Sequence, residues 1–253
     1  MPATILARLV LLEARRSALP WLAAASIAAA LVAGAFLSSV ALTESRELRV
    51  AVVAALLRAC AVFLVAAQVA SSIQREIDDK GLEQMLSLPL SRAVHYLGRL
   101  AGFAACGAAL ALLFAVPLAP WTAPAALAMW TISLALECAL VAAAALFFSL
   151  SLAQLVGAIS ATLALYLLGR SMSAIQAIAA GPLADESPAG RLARGVVDAL
   201  AFVLPKLDGV TRTEWLVYGT PAAGDYARAL GGLLIYALLL TAAGLFDFYR
   251  RAP

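Results

Sequence analysis

The chain has 253 residues, of which 64% are hydrophobic and 13% are charged. Soluble domains carry about 25% charged residues, so this composition, with a mean hydropathy of +0.95, excludes a soluble globular protein. We interpret residues 1–253 as a single membrane-embedded domain. The net charge of +3 is too small to indicate a nucleic-acid partner. The sequence has a single histidine, which cannot build a histidine-based metal site. Its three cysteines lie inside apolar segments and do not indicate a disulfide framework or a metal site.

The apolar segments predict an all-α, polytopic protein with about six transmembrane helices. Residues 3–16 end in two arginines and predict an interfacial helix. The uncharged run that follows, residues 17–43, is too long for the core of a signal peptide, so we expect a cytoplasmic N-terminus. The predicted spans cover about 19–42, 50–72, 98–117, 124–148, 152–170 (with 180 as an alternative end) and 228–246, and residues 43–49 form a short link.

A long connection separates the fifth and sixth predicted spans. Within it, Arg191, Arg194 and Asp198 share one helical face. Apolar residues, among them Leu192 and Val196, occupy the opposite face. This pattern predicts an amphipathic helix that lies in the membrane interface or against other spans. Residues 205–219 follow as an irregular segment, with Trp215 at interfacial depth.

Two ionisable residues lie deep within predicted spans: Arg58 in the second and Glu137 in the fourth. Charges at such depth are costly and usually face a bundle interior or a cavity. One interpretation is an ion pair that fixes the packing of these two spans. The other places the two side chains separately on a transport path. The sequence leaves both open.

The densest run of charge, residues 74–92, lies between the second and third spans. Leu82, Met85 and Leu86 have the spacing of one helical stripe, and Pro89 prevents that helix from continuing. The pattern predicts a short helix with an apolar stripe and an acidic back, suited to docking in a groove of a soluble partner. The candidate docking residues are Glu76, Asp79, Gly81, Leu82, Glu83, Met85, Leu86 and Pro89.

This run resembles the cytoplasmic loop of ABC-2-type transporter permeases. That loop reads as an acidic residue, a Gly-Thr-Leu-Glu step, two apolar residues and Ser-x-Pro. Here Gly81 is followed directly by Leu82, without the threonine, and Ser87-Leu88-Pro89 supplies the final step. The resemblance implies a permease subunit whose coupling helix binds a separate ABC ATP-binding subunit. It also implies a permease homodimer, export as the usual direction, and a bacterial cytoplasmic (inner) membrane with both termini cytoplasmic.

The sequence contains none of the common catalytic motifs. It has no G-x-x-x-x-G-K-[ST], no H-E-x-x-H and no G-x-S-x-G. We therefore expect no catalytic residues, no cofactor and no metal, with ATP hydrolysis in the partner subunit. The alternatives are an ion- or proton-coupled secondary transporter, which would favour charges in several spans and repeat symmetry, or a membrane-embedded assembly factor. Lys and Arg are almost evenly distributed between the two sides, so the orientation rests on the resemblance.

Overall fold

The computed structural model describes residues 2–40, 45–79, 91–152, 154–180 and 188–250. These residues form α-helices and one short 3-10 helix and contain no strand, which confirms the all-α fold. The helices are α1 (Pro2–Arg16), α2 (Leu19–Val40), α3 (Ser45–Asp78), α4 (Arg92–Ala115), α5 (Pro124–Leu152), α6 (Leu155–Ala179), α7 (Pro188–Val203), α8 (Glu214–Tyr218) and α9 (Ala223–Arg250). The 3-10 helix, Val116–Leu118, extends α4.

Six helices in the described part of the chain are long and apolar enough to cross a bilayer: α2, α3, α4 with its 3-10 extension, α5, α6 and α9. This confirms the predicted number of spans. Several helix boundaries differ from the first expectation, most of them because the helices are longer than predicted. α6 continues to Ala179, the alternative end, and α3 already begins at Ser45. The predicted link over 43–49 is therefore wrong for residues 45–49, which are helical.

Contacts between helix ends define two ends of the bundle. At one end, Ser72 on α3 donates to Glu13 on α1 at 2.9 Å, and Ser151 on α5 donates to Asp247 on α9 at 3.1 Å. Both described termini lie at this end, which we call the terminal end. The opposite end, called the distal end, carries α7, α8 and the link between α4 and α5.

α5 occupies the centre of the bundle. It packs against α3, α4, α6 and α9, and its residues Trp130, Leu134 and Cys138 have no exposed surface. A Cβ atom on Gly107 of α4 would lie 2.7 Å from the Cβ atom of Cys138. The lack of a side chain at Gly107 therefore permits the close packing of α4 on α5, as small residues commonly do between membrane helices.

α1 is helical, as predicted, and packs against α4 at the terminal end. Val10 and Ala14 are buried in this contact, and a Cβ atom on Gly102 of α4 would lie 2.7 Å from the Cβ atom of Val10. Other apolar side chains of α1, including Ile5 and Leu9, remain exposed. α1 is therefore attached to the bundle by one face, while its position in a membrane interface stays a prediction.

The segment between α7 and α8, residues 204–213, turns into the bundle at the distal end. Leu207, Val210 and Thr211 have no exposed surface, and the Leu207 amide donates to the Gly169 carbonyl of α6 at 3.3 Å. We call this segment the distal loop. It is irregular, as predicted, whereas residues 214–218 of the predicted irregular segment form α8. The distal loop lies among the spans and brings backbone groups outside regular helix close to the charges buried there.

Candidate functional site

Arg58 and Glu137 lie at the same depth in the bundle. Each is the fourteenth residue of its helix, α3 for Arg58 and α5 for Glu137. At 1.5 Å per residue, both lie about 20 Å from the distal ends of their helices. Glu137 has no exposed surface. These positions are consistent with the expectation that both charges lie within spans.

Glu137 forms its ion pair with Arg170 of α6, at 3.5 Å between Oε1 and Nη1. Arg58 donates instead to the backbone carbonyl of Thr211, at 2.9 Å. Glu137 therefore pairs with Arg170 and not with Arg58, the partner suggested by the sequence. The reason is the length of α6: since the helix continues to Ala179, Arg170 lies inside the bundle and not in the connection that follows.

The guanidinium group of Arg170 binds the distal loop through three backbone carbonyls. It donates to Leu207 at 2.7 Å, to Val210 at 2.8 Å and to Thr211 at 3.3 Å. Carbonyl groups outside regular helix have no water to bind at membrane depth and need a donor from the protein. The five N–H groups of an arginine suit this task. Arg170 therefore donates to the distal loop and pairs with Glu137 at the same time.

Thr211 shows how firmly the loop is held. Its φ of 51° lies in the left-handed region, which is unfavourable for a β-branched residue. Such conformations persist only where the surroundings impose them. The Thr211 carbonyl accepts from both Arg58 and Arg170, and we infer that these two bonds impose the strained conformation.

The cluster combines two guanidinium groups with the carboxylate of Glu137. Tyr166 and Asp208 also lie within electrostatic range of Arg170. Buried charges are tolerated when they are paired and hydrogen-bonded. Arg170 is both, Arg58 is hydrogen-bonded, and Glu137 is paired. Within the described residues no group of His, Cys, Asp and Glu side chains could hold a metal ion. These contacts hold the distal loop between α3, α5 and α6.

A second ion pair lies at the terminal end, where α3 ends and α4 begins. We call residues 79–91, which connect these two helices and hold most of the predicted docking residues, the docking segment. Glu76 of α3 pairs with Arg99 of α4, and the two side chains are only 10% and 11% exposed. Glu76 was expected on the docking face. In the structure α3 remains helical to Asp78 and directs the Glu76 carboxylate towards α4, while a docking role for Glu76 stays a prediction.

Further polar contacts join α1 to the same end of α3. Glu13 of α1 lies 3.3 Å from Arg75 and accepts from Ser72. Ser17, just after α1, donates to Gln68 at 3.2 Å. Together with the pair of α3 and α4, these contacts join three helices at the terminal end of the bundle.

Most of the predicted docking residues, Gly81 to Pro89, lie outside the described residues. Of the others, Asp79 is exposed at the end of α3. On the far side of the segment, Ser91 caps α4 by accepting from the Val94 amide at 3.4 Å. The docking segment thus runs between two defined helix ends.

The sequence analysis did not select Arg99 and Arg170 as site residues. Arg99 lay at the predicted edge of the third span, and Arg170 at the first estimate for the end of the fifth. If the spans are predicted too short, both residues are predicted to be exposed to solvent. The apolar continuation of the fifth span to residue 180 was the signal for Arg170.

The fold defines a multi-pass α-helical membrane protein with six spans and two buried ion pairs, one towards each end. A scan against models of known protein families gave no match, and no curated protein matches this chain significantly.

Proposed function

We propose that this chain is the membrane-spanning permease subunit of an ATP-driven ABC transporter of the ABC-2 type, acting as an exporter. The observation that carries the proposal is the length of α3, which leads directly into the predicted docking residues. α3 has 34 residues and is about 51 Å long at 1.5 Å per residue. A bilayer with its headgroups is about 40–45 Å thick, so α3 is long enough to reach both membrane surfaces, and it ends at Asp78, next in sequence to the predicted docking residues.

The contacts below the docking segment suit the transmission of a motion. The pair of Glu76 with Arg99 links α3 to α4, and Glu13 links α3 to α1. A displacement of the docking segment by closure of an ATPase dimer would therefore move three helices as one body. Rigid-body motion of this kind is a common form of conformational coupling.

The buried charges give less support to a secondary transporter. Ion- and proton-coupled transporters use ionisable groups within the spans as binding or relay sites. Here Arg58 and Arg170 bind backbone carbonyls of the distal loop, and Glu137 pairs with Arg170. These contacts favour a structural role for the charges.

The packing of α5 favours a dimer of permease subunits. Its buried side chains fill the centre of the described bundle. α2 packs mainly on α3 and exposes large apolar side chains such as Val32 and Phe36. In the proposed transporter, lipid and a second copy of the chain cover such faces.

The proposed location is a bacterial cytoplasmic (inner) membrane with the terminal end in the cytoplasm. Arg170 lies within α6, so the distal side has one basic residue fewer than the sequence suggested. Because cytoplasmic loops carry an excess of Lys and Arg, this slightly favours the orientation with the terminal end inside. We expect single cysteines at Ser45 and Thr220, in a background without the native cysteines, to react with an impermeant maleimide added to intact cells. A cysteine at Asp79 should react only after permeabilisation. The reverse pattern would overturn the orientation and with it the docking proposal.

The docking assignment is tested by Leu86→Asp. The charge would lie where the apolar stripe contacts the partner, and loss of such an anchor commonly costs 2 kcal/mol or more, or about 30-fold in affinity. The variant should still insert, because no span is altered. We expect recovery of the ATP-binding subunit with the tagged permease to fall by about that factor, with loss of transport.

Asp79→Asn is the matched control for this experiment. It removes an exposed charge from the same segment, which should affect encounter more than affinity. We expect recovery of the ATP-binding subunit within about twofold of the native chain. If Leu86→Asp bound the subunit as well as Asp79→Asn did, the coupling-helix assignment would be wrong.

A further inference from the structure

A groove with a volume of about 620 Å³ lies at the distal end. It lies between α6, α7, the distal loop and α9, and we call it the distal groove. Its charged lining residues are Asp198, Lys206, Asp208, Asp225 and Arg228. The volume falls within the range of about 300–1,000 Å³ that is usual for small-molecule sites.

The groove is charged at one end and apolar at the other. Asp225 and Arg228 lie in the first turns of α9, where they pair at 3.2 Å with exposed side chains. Leu233 and Tyr236 line the groove further along the same helix, about 12 and 16 Å from Asp225 at 1.5 Å per residue. Because α9 is a span, the charged end faces the aqueous boundary and the apolar end faces the hydrocarbon.

We propose that the distal groove binds one zwitterionic phospholipid. The acyl chain lies along Leu233 and Tyr236. The phosphate binds Lys206 and Arg228, and the ammonium group binds Asp198 and Asp225. Charged hydrogen bonds of both signs are among the strongest contacts available to such a headgroup.

The balance of charge distinguishes a zwitterionic lipid from an anionic one. The groove has three carboxylates against two cationic side chains, so a headgroup with only negative charge meets net repulsion. Anionic lipids usually bind clusters of basic residues, and the charged lining of this groove is not predominantly basic. The mixed lining therefore favours a headgroup that carries its own cation.

Substitution of Gly232 tests whether a lipid occupies the groove. It lines the groove, and a Cβ atom built on it meets no atom within 4 Å. A larger side chain at this position therefore enters the groove without displacing the protein. Gly231, its neighbour, also meets nothing within 4 Å but does not line the groove. Gly232→Leu and Gly231→Leu form a matched pair.

The inference is independent of the ATPase partner. The groove lies at the end of the bundle opposite the docking segment, and lipid binding is measurable on the purified chain without ATP. Loss of lipid binding would leave the docking proposal intact, and failure of the docking experiment would leave the groove intact.

The experiment uses native mass spectrometry of the full chain, released from micelles that contain equal amounts of phosphatidylethanolamine and phosphatidylglycerol with the same acyl chains. We expect the native chain to retain one lipid, with phosphatidylethanolamine preferred about fivefold, since one charge near the surface has an effect of that order. Gly232→Leu should lose the retained lipid and Gly231→Leu should keep it. Free phosphoethanolamine should not displace the lipid, because it lacks the acyl chain.

A second variant separates headgroup recognition from filling of the groove. Asp198→Asn with Asp225→Asn should keep one lipid but lose the preference for phosphatidylethanolamine. The proposal is overturned if both glycine variants retain lipid equally, or if the native chain shows no preference between the two headgroups. It is also overturned if Gly232→Leu alone changes the oligomeric state, which would make the groove a contact between copies of the chain.

Discussion

Arg170→Met is expected to destabilise the protein by about 3–5 kcal/mol, the usual cost of removing one partner from a buried ion pair. Glu137, which has no exposed surface, would lose the cation that pairs with it at 3.5 Å. The carbonyls of Leu207 and Val210 would lose a donor at the same time. We therefore expect Arg170→Met to be the most damaging single change among the buried charges.

The measurement is reversible unfolding in mixed micelles, followed by circular dichroism. Arg58→Met should cost less than Arg170→Met, because the Thr211 carbonyl would still accept from Arg170. Arg212→Met is the matched control. Its side chain is 46% exposed and binds the carbonyl of Asp208 at the same loop, so we expect a change below about 1 kcal/mol.

A double-mutant cycle of Glu137→Gln with Arg170→Met identifies the partner directly. If the two side chains pair, the double variant should cost at least about 1 kcal/mol less than the sum of the single variants. An equally large coupling between Glu137 and Arg58, with none to Arg170, would contradict the arrangement of the cluster. It would restore the pairing first considered from the sequence.

Glu76→Gln should likewise destabilise the chain by about 3–5 kcal/mol, because the buried Arg99 would lose the carboxylate that contacts it directly. Reversal of the pair, Glu76→Arg with Arg99→Glu, should recover much of this loss. Asp78→Asn provides the control on the same helix: it accepts from Gln74 at an exposed position, and its loss should cost below about 1 kcal/mol.

The terminal ion pair also predicts a functional effect that stability alone would not produce. If it makes α3 and α4 move together, Glu76→Gln should retain the ATP-binding subunit while ATP hydrolysis no longer drives transport. The reversed pair should restore transport. Reversal that recovers neither stability nor transport would show that the contact between Glu76 and Arg99 does not act as a pair.

The two ion pairs show where sequence reasoning was sufficient and where it was not. The sequence placed Arg58 and Glu137 within spans, and the number of spans was correct. It did not identify the partners, because a pair between two helices depends on the depth and rotation of both. An error of a few residues at a helix end, as at Arg170 and Arg99, is enough to exchange a buried partner for an exposed one.

The sequence by itself determined the membrane class, the six spans and the amphipathic helix α7, since these follow from hydrophobic composition and periodicity along the chain. The tertiary structure decided that Glu76 lies inside the bundle, that the distal loop lies among the spans, and that Arg170 binds that loop. The physical reason is that burial and hydrogen bonding depend on neighbours distant in sequence. The Leu207 carbonyl gains its donor only because α6 passes beside the loop, and no local pattern encodes that contact.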